Sequence, residues 1–236
     1  MTKILMYHSV GGQDNEEVGA RLYCVSVDKF REQMEHVSAQ VLKRSTVQVK
    51  VTFDDGLLDN YTNAYPILKK LGLKAFFFIL VGKISKAGYM NWEQIRELKE
   101  AGMSIGSHGM THKILTGLSE GDLDYEIRIS KKILEDKLKC AIDYFSVPRG
   151  FYNNNVIKQA KDNGHKNVFT SNPKDDDGFK IGRIPVKGSW DMEYFIKVLS
   201  NGLSAKDKMV EMLKGSSKKI LGVKNYDRLR TKILKE

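Results

Sequence analysis

The chain has 236 residues, of which 41% are hydrophobic and 29% are charged, with four prolines and two cysteines. This composition excludes collagen-like, disulfide-stapled and disordered chains, because apolar residues are plentiful and glycine and proline are modest in number. The net charge of +10 suits a nucleic acid, an anionic membrane surface or a phosphorylated substrate as a partner.

The N-terminal segment does not have the pattern of a signal peptide. Its apolar stretch ends at Tyr7 and His8, too early for the hydrophobic centre of such a peptide. With Met1 as the natural start, the sequence predicts a cytoplasmic protein. Cys24 and Cys140 lack the spacing of paired metal ligands and fit a reducing compartment as ordinary thiols.

Short apolar runs alternate with amphipathic helical patterns through the first 190 residues. Three helices are predicted to begin at capping residues, namely Ser26, Asn91 and Ser119. Seven strands are predicted, at residues 4–7, 49–53, 75–81, 103–106, 144–147, 168–170 and 184–186. This alternation favours an α/β fold with a parallel sheet or a (β/α) barrel, in which chemistry gathers at the C-terminal ends of the strands.

Strand patterns stop at about residue 190, which predicts a barrel domain at 1–190 and a basic helical extension at 191–236. Helical patterns in the extension cover residues 194–199 and 209–213. Residues 206–236 hold ten Lys and Arg against four acidic residues, more than half of the excess positive charge. Two interpretations of this charge stay open, contact with an anionic membrane leaflet or a solvated helical face.

Two carboxylates, Asp54 and Asp55, directly follow the apolar strand at 49–53. Carboxylates are rarely buried unless they are paired or bind a metal, so this position favours a functional site. The alternative is an ordinary Asp-Gly turn.

Two histidines follow the strand at 103–106. His108 and His112 are four residues apart, a spacing that brings both imidazoles to one side of a helical turn and lets them share a metal. His8 ends the first strand and is expected at the same end of a barrel. His36 and His165 are interpreted as structural.

Residues 52–56, which read TFDDG, and residues 107–112, which read SHGMTH, resemble the first two motifs of the polysaccharide deacetylases, the NodB-homology or carbohydrate esterase family 4 enzymes. The stretches YPIL at 65–68 and WEQ at 92–94 are also similar to that family. The resemblance covers roughly residues 3–187 and implies a distorted (β/α) barrel of about seven strands.

The resemblance also implies one divalent metal ion, held by Asp55, His108 and His112. Zinc is the expected ion, and cobalt, nickel or iron also suit a His/His/Asp set. Such a set leaves coordination positions open for water and substrate. By the same resemblance Asp54 is the general base for the attacking water, while the metal polarises the acetamide carbonyl.

The third motif departs from the family's Arg-x-Pro-x-Gly pattern. Ser146 stands where the family has the arginine that orients the base, so the sequence does not identify the residue that orients Asp54. Arg149 occupies the position of an aromatic residue whose backbone N–H helps to bind the oxyanion. Arg149 and Gly150 are therefore predicted to bind substrate, and the Arg149 guanidinium could instead grip a phosphate or carboxylate. A solvated loop cation is the alternative for Arg149.

The family's fifth motif, which carries the general acid histidine near the C-terminus, is missing, since no histidine follows His165. ILMYH at residues 4–8 resembles that motif moved to the first strand, as in the circularly permuted branch of the family. The first and last strands of a closed barrel are neighbours, so His8 is predicted to protonate the leaving amine and Tyr7 to bind substrate. A hydrogen-bonded, structural His8 is the alternative.

The sequence therefore predicts a metal-dependent N-deacetylase that acts on an N-acetylated saccharide. A cytoplasmic location favours a nucleotide-linked or lipid-linked precursor of a surface polysaccharide, with the basic extension at the inner face of the membrane. A catalytically silent member of the fold, which binds metal and carbohydrate, is the second hypothesis. No nucleic-acid partner is predicted, because aromatic and basic residues do not interleave.

Overall fold

Eight parallel strands form the central sheet of the protein in a computed structural model, which describes residues 2–12, 20–42, 48–204 and 207. A separate pair, β2 with β3, lies beside that sheet. The strands within the described ranges are β1 (Thr2–Tyr7), β2 (Ser9–Val10), β3 (Cys24–Val25), β4 (Gln48–Phe53), β5 (Ala75–Ile79), β6 (Ser104–Ser107), β7 (Tyr144–Ser146), β8 (Asn167–Thr170), β9 (Lys180–Gly182) and β10 (Ile184–Pro185).

Helices connect most of these strands. Within the described ranges they are α1 (Val27–Leu42), α2 (Tyr65–Lys70), α3 (Trp92–Glu100), α4 (Glu120–Asp124), α5 (Ser130–Leu138), α6 (Asn154–Asp162) and α7 (Met192–Asn201). Two π-helical turns adjoin them, Asn60–Ala64 before α2 and Tyr125–Ile129 between α4 and α5.

The sheet curves into a nearly closed barrel. Its strand order is β10-β1-β4-β5-β6-β7-β8-β9, and every neighbouring pair is parallel. β9 pairs with β8 and β10 pairs with β1, while Arg183 alone separates β9 from β10. One stretch of chain, residues 180–185, therefore supplies both edge strands of the sheet.

The predicted α/β barrel is confirmed, with eight strands in the sheet where about seven were expected. The additional strand is β9, whose residues KIG are all half-buried. A three-residue strand without an apolar run gives no periodic signal, which is why the sequence did not reveal it.

The apolar core lies between the sheet and its helices. The predicted face of α1, with Phe30, Met34 and Val37, is buried there, and α7 adds Phe195 and Val198 to the same cluster. A fully buried side chain of this kind stabilises the fold by about 1.5–3 kcal/mol relative to an exposed one. The helices are thereby held on the outside of the barrel, and polar groups occupy the ends of its strands.

The predicted helix starts are confirmed by their hydrogen bonds. At α3 the Gln94 N–H donates to Asn91 Oδ1 (2.9 Å), and the Asn91 N–H donates to Gln94 Oε1 (2.8 Å). At α4 the Asp122 N–H donates to Ser119 Oγ (3.2 Å), and α1 begins directly after Ser26. Each such cap is worth about 0.5–2 kcal/mol.

The end of the described chain is attached to the barrel. Asp207 accepts hydrogen bonds from Lys187 Nζ (2.8 Å) and Ser204 Oγ (2.9 Å). α7 contains the helical stretch predicted at 194–199, whereas the stretch at 209–213 and the rest of the basic extension lie outside the described residues. The domain boundary at 190 stays a prediction. None of the described helices combines the length and the apolar character that crossing a membrane requires.

Candidate active site

The polar residues singled out in the sequence meet at one end of the barrel. His8 directly follows β1, Asp54 and Asp55 directly follow β4, and His108 directly follows β6. Because all of these strands are parallel, their C-terminal ends lie at the same rim. His112 reaches this rim from the loop that follows His108.

Asp55 and the two histidines form a compact set of metal-ligand atoms. Asp55 Oδ1 lies 3.3 Å from Nε2 of His108 and 3.3 Å from Nε2 of His112. One ligand atom from each of the three residues lies within 4.8 Å of the others. Asp55 Oδ1 is also buried and accepts no well-formed hydrogen bond among the described residues. A buried carboxylate oxygen between two imidazole nitrogens fits a divalent cation.

The orientation of His108 is fixed by the neighbouring strand. Its Nδ1 lies 2.9 Å from the backbone oxygen of Ser146, at the end of β7. Because a carbonyl can only accept, Nδ1 carries a proton, and Nε2 is the ring nitrogen that faces Asp55. This is the arrangement that a metal-binding imidazole requires.

Strained backbone coincides with the site. Asp55, His112 and Arg149 have φ angles of 73°, 62° and 57°, in the left-handed region that residues other than glycine rarely adopt. Each such residue costs on the order of 1–3 kcal/mol and persists only where its surroundings determine it. Burial alone would raise the pKa of Asp55, but the imidazoles of His112 and His108 hold it well below its ordinary value.

Asp54 is buried and forms a two-pronged salt bridge with Arg183. The Arg183 Nη1 donates to Asp54 Oδ1 (2.7 Å) and its Nη2 donates to Oδ2 (2.8 Å). Burial would raise the pKa of Asp54, but the guanidinium outweighs it and holds the pKa of this carboxyl below its usual range. Asp54 is therefore an ionised carboxylate held in one orientation.

The remaining donors of Arg183 are also satisfied inside the barrel. Its Nη2 donates to Ser146 Oγ (2.8 Å), its Nη1 to Thr52 Oγ1 (3.2 Å) and its Nε to the Thr170 carbonyl (3.2 Å). The guanidinium carbon lies 5.3 Å from the ring centroid of Phe78, which adds a cation–π contact. Arg183 is 1% exposed, so this network is shielded from water.

Arg183 is the functional residue that sequence reasoning missed. The third motif lacks its usual arginine, and Ser146 at that position lies 3.2 Å from each Asp54 carboxylate oxygen. The guanidinium that holds Asp54 comes instead from the break between β9 and β10. The sequence feature that could have indicated Arg183 is its position directly before the apolar strand at 184–186. An arginine at such a buried position needs an anionic partner, because an unpaired cation is costly there.

His8 lies against an aromatic ring and a buried amide. Its imidazole stacks on Tyr23, with ring centroids 5.1 Å apart, and its backbone oxygen accepts from Asn60 Nδ2 (2.6 Å). Burial lowers the pKa of His8, which the carboxylates of Asp55 and Asp54 partly oppose. Nδ1 of His8 has no hydrogen-bond partner among the described residues. Its role as the acid stays a prediction.

The structure does not bring Tyr7 to the site, so the substrate-binding prediction for Tyr7 is wrong. Its side chain is fully buried between Phe30 and Phe53, and its hydroxyl donates to Gln33 Oε1 (2.8 Å). Successive side chains of a strand point to opposite faces. Tyr7 therefore packs under α1 on the face opposite to the one from which His8 reaches the rim.

Arg149 and Gly150 lie in a short 3₁₀ turn that follows β7, on the rim that carries the other residues. The Gly150 N–H donates to the Val147 carbonyl (3.2 Å). Both residues are half-buried, and their role in substrate binding stays a prediction. The two histidines interpreted as structural lie elsewhere: His36 pairs with Gln40 (2.8 Å) on α1, and His165 is buried.

A barrel with carboxylates and imidazoles at the C-terminal rim, and a metal-ligand set among them, defines a hydrolase-like site. The chain belongs to the polysaccharide deacetylase family, because the family profile of that description matches residues 43–168. The resemblance inferred from TFDDG and SHGMTH is confirmed. Membership of the branch with its acid histidine on the first strand stays a prediction.

Individual relatives agree with this assignment. YxkH of Bacillus subtilis (strain 168), whose name describes it as a polysaccharide deacetylase, is 32% identical to this chain over 179 residues. The match covers 72% of this chain and 64% of YxkH. The poly-beta-1,6-N-acetyl-D-glucosamine N-deacetylase of Staphylococcus epidermidis is 26% identical over 200 residues, 70% of this chain and 68% of that enzyme. The Streptococcus pyogenes deacetylase PplD, solved with acetate, has a TM-score of 0.72 and 26% identity over 84% of this chain and 97% of PplD.

Proposed function

We propose that the protein is a metal-dependent N-deacetylase that hydrolyses the acetamide of an N-acetylated saccharide. The observation that carries this proposal is the meeting of Asp55, His108 and His112 beside the ionised Asp54. Relatives named as deacetylases of poly-N-acetylglucosamine and of peptidoglycan N-acetylglucosamine support the substrate class.

Asp55, His108 and His112 would hold the metal, and zinc is the proposed ion, with cobalt, nickel or iron as alternatives. When bound, a divalent ion supplies a Lewis acid that polarises the acetamide carbonyl and makes water more acidic. The chain supplies the groups that move protons around it.

Asp54 accepts the proton of the attacking water as the water oxygen bonds to the acetyl carbon. Arg183 keeps this carboxylate ionised and in one orientation, since it donates to both carboxylate oxygens. His8 donates a proton to the sugar nitrogen as the C–N bond breaks, which leaves acetate and a free amine. General acid–base groups of this kind each contribute about 10²–10⁴-fold to a rate.

The finer substrate proposal is a nucleotide-linked or lipid-linked N-acetylated sugar in the cytoplasm. Its support is the basic segment at 206–236, which suits a phosphate-bearing substrate or an anionic membrane surface. The hypothesis of a catalytically silent protein came from two departures, the missing third-motif arginine and the displaced acid histidine. Arg183 supplies a guanidinium to Asp54, which answers the first departure, while the role of His8 as the acid stays a prediction.

Metal content and acetate release, measured together, test the proposal. Wild-type protein is expected to bind about one zinc per chain and to release acetate from N-acetylhexosamine oligomers or from nucleotide or lipid-linked sugars. Asp54→Asn and His8→Ala are expected to keep the metal and lose at least about 10²-fold in kcat. His108→Ala is expected to lose the metal, while His36→Gln on α1 serves as the control. Failure to bind metal, or full activity of Asp54→Asn, would refute the assignment.

A further inference from the structure

A buried carboxylate outside the proposed catalytic set contacts the loop that carries His112. We call residues 109–112 the His112 loop. Glu126, which is 1% exposed, lies in the π-helical turn Tyr125–Ile129. Its Oε2 accepts from the backbone N–H groups of Met110 (2.8 Å) and Thr111 (3.0 Å), and its Oε1 accepts from the Thr111 hydroxyl. One side chain thus takes three donors from this loop.

The opposite edge of the His112 loop is held by the backbone that follows β5. The Val81 N–H donates to the Gly109 carbonyl (3.0 Å), and the Gly82 N–H donates to the Met110 carbonyl (3.0 Å). A Cβ on residue 82 would lie 2.3 Å from the Met110 oxygen, so this close approach requires glycine. The loop is therefore fixed through its carbonyls on one edge and through its N–H groups, by Glu126, on the other.

This double attachment bears on the conformation of His112. His112 has a φ of 62°, and strain of that kind persists only where the neighbouring structure determines it. The preceding residue is Thr111, whose N–H and hydroxyl both donate to Glu126. Without those bonds the loop can relax toward common φ values, which moves the His112 imidazole away from Asp55.

The placement of Glu126 is itself unusual. No ion pair among the described residues includes Glu126, and the donors to its carboxyl group come from the His112 loop. A π-helical turn carries one residue more per turn than an α-helix, and such turns recur at functional sites. We propose that Glu126 is a positioning residue, which holds the His112 loop so that His112 meets Asp55 and His108 in a geometry that binds metal. This inference rests on the proposed function.

Zinc affinity of purified, metal-free protein tests the inference without relying on turnover. Glu126→Ala is expected to weaken zinc binding about 10–100-fold, the usual effect of removing a group that orients a metal ligand. Glu126→Gln keeps an acceptor for the two N–H groups and is expected to restore most of the affinity. Asp124→Asn neutralises a half-buried carboxylate of the same helical segment, which pairs with Arg128 and does not contact the His112 loop, and serves as the matched control.

The outcomes separate positioning from general stability. In Co²⁺-loaded protein, the visible absorption band is expected to change in Glu126→Ala and to match the wild type in Asp124→Asn. An unchanged zinc Kd in folded Glu126→Ala would overturn the inference, even with a lower Tm. If that variant does not fold, Thr111→Val decides, because it removes one donor from an exposed position and is expected to raise the Kd several-fold. A wild-type protein that binds none of zinc, cobalt, nickel or iron would instead refute the proposed function.

Discussion

Replacement of Arg183 by methionine tests the electrostatic core of the site. The change keeps an unbranched apolar side chain in the barrel but removes every donor to Asp54 from this residue. Arg183 and Asp54 are nearly inaccessible to water, at 1% and 4% side-chain exposure, so solvent does not screen the charge that remains on Asp54. The variant therefore leaves a buried carboxylate without its cation.

Breaking a buried ion pair by removing one partner costs about 3–5 kcal/mol. For a chain of this size, each kcal/mol lowers Tm by about 2–4 °C, so Arg183→Met is expected to melt roughly 6–20 °C below the wild type. The pH dependence also changes sign. In the wild type the pKa of Asp54 is lowered, so its contribution to stability is present at neutral pH and lost in strong acid. In the variant the guanidinium, which is the strongest group opposing burial, is gone and only His108 and His8 still oppose it. The pKa of Asp54 is therefore expected to rise, so stability increases as the pH falls.

Urea unfolding at pH 7 and pH 5 measures both effects. The stability gap between wild type and Arg183→Met is expected to narrow at pH 5. At pH 7 the double variant Asp54→Asn/Arg183→Met is expected to be more stable than Arg183→Met alone, because it no longer buries a charge. A loss below about 1 kcal/mol in Arg183→Met at pH 7, well under the range for a broken buried pair, would refute the reasoning.

Three further changes probe the packing around the site. Tyr7→Phe leaves Gln33 without its buried donor and is expected to cost about 1–3 kcal/mol with an unchanged KM, whereas a higher KM would restore Tyr7 as a substrate contact. Burial lowers the pKa of His165 to about 3, so stability measured in urea should decline from pH ~6.5 toward that value, and His165→Leu should flatten the decline. Equal dependence of stability on pH in the wild type and in His165→Leu would contradict this prediction. Gly182→Ala would place a Cβ 2.3 Å from a backbone oxygen of the β8–β9 loop and should lower both Tm and acetate release, while Gly117→Ala, with open space around it, should not.

The sequence predicted the parts of this protein that follow from local patterns. Apolar runs located seven of the eight sheet strands, and caps located the starts of α1, α3 and α4. The spacing of His108 and His112, together with Asp55 at a strand end, predicted residues that the fold does bring within ligand distance of one another. Each of these predictions depends on a pattern within about a dozen residues, or on the rule that the C-terminal ends of parallel strands share one edge of the sheet.

The sequence did not predict contacts that depend on the closed barrel. Asp54 and Arg183 are 129 positions apart, and only the pairing of residues 180–185 with both β8 and β1 brings them together. The same holds for Glu126, whose inward direction depends on a π-helical turn that has no clear sequence pattern. Tyr7 was misassigned because proximity to His8 in sequence outweighed the alternation of faces along β1.

Ser146 and Arg183 together explain how this chain departs from its family's third motif. Arg183 Nη2 donates to Ser146 Oγ at 2.8 Å, so the small side chain at 146 leaves the space into which the guanidinium reaches. We expect an arginine at either position to approach the same carboxylate, but Asp54, Ser146 and Arg183 are all buried, so two guanidinium groups are expected to crowd this place. Ser146→Arg alone is therefore expected to disrupt the site by crowding two cations, with loss of acetate release and a lower Tm. Ser146→Arg combined with Arg183→Ser moves the guanidinium to the family's usual position and is expected to recover activity relative to Arg183→Ser. If the double variant is no more active than Arg183→Ser, then the strand that supplies the guanidinium matters, and not only the guanidinium itself.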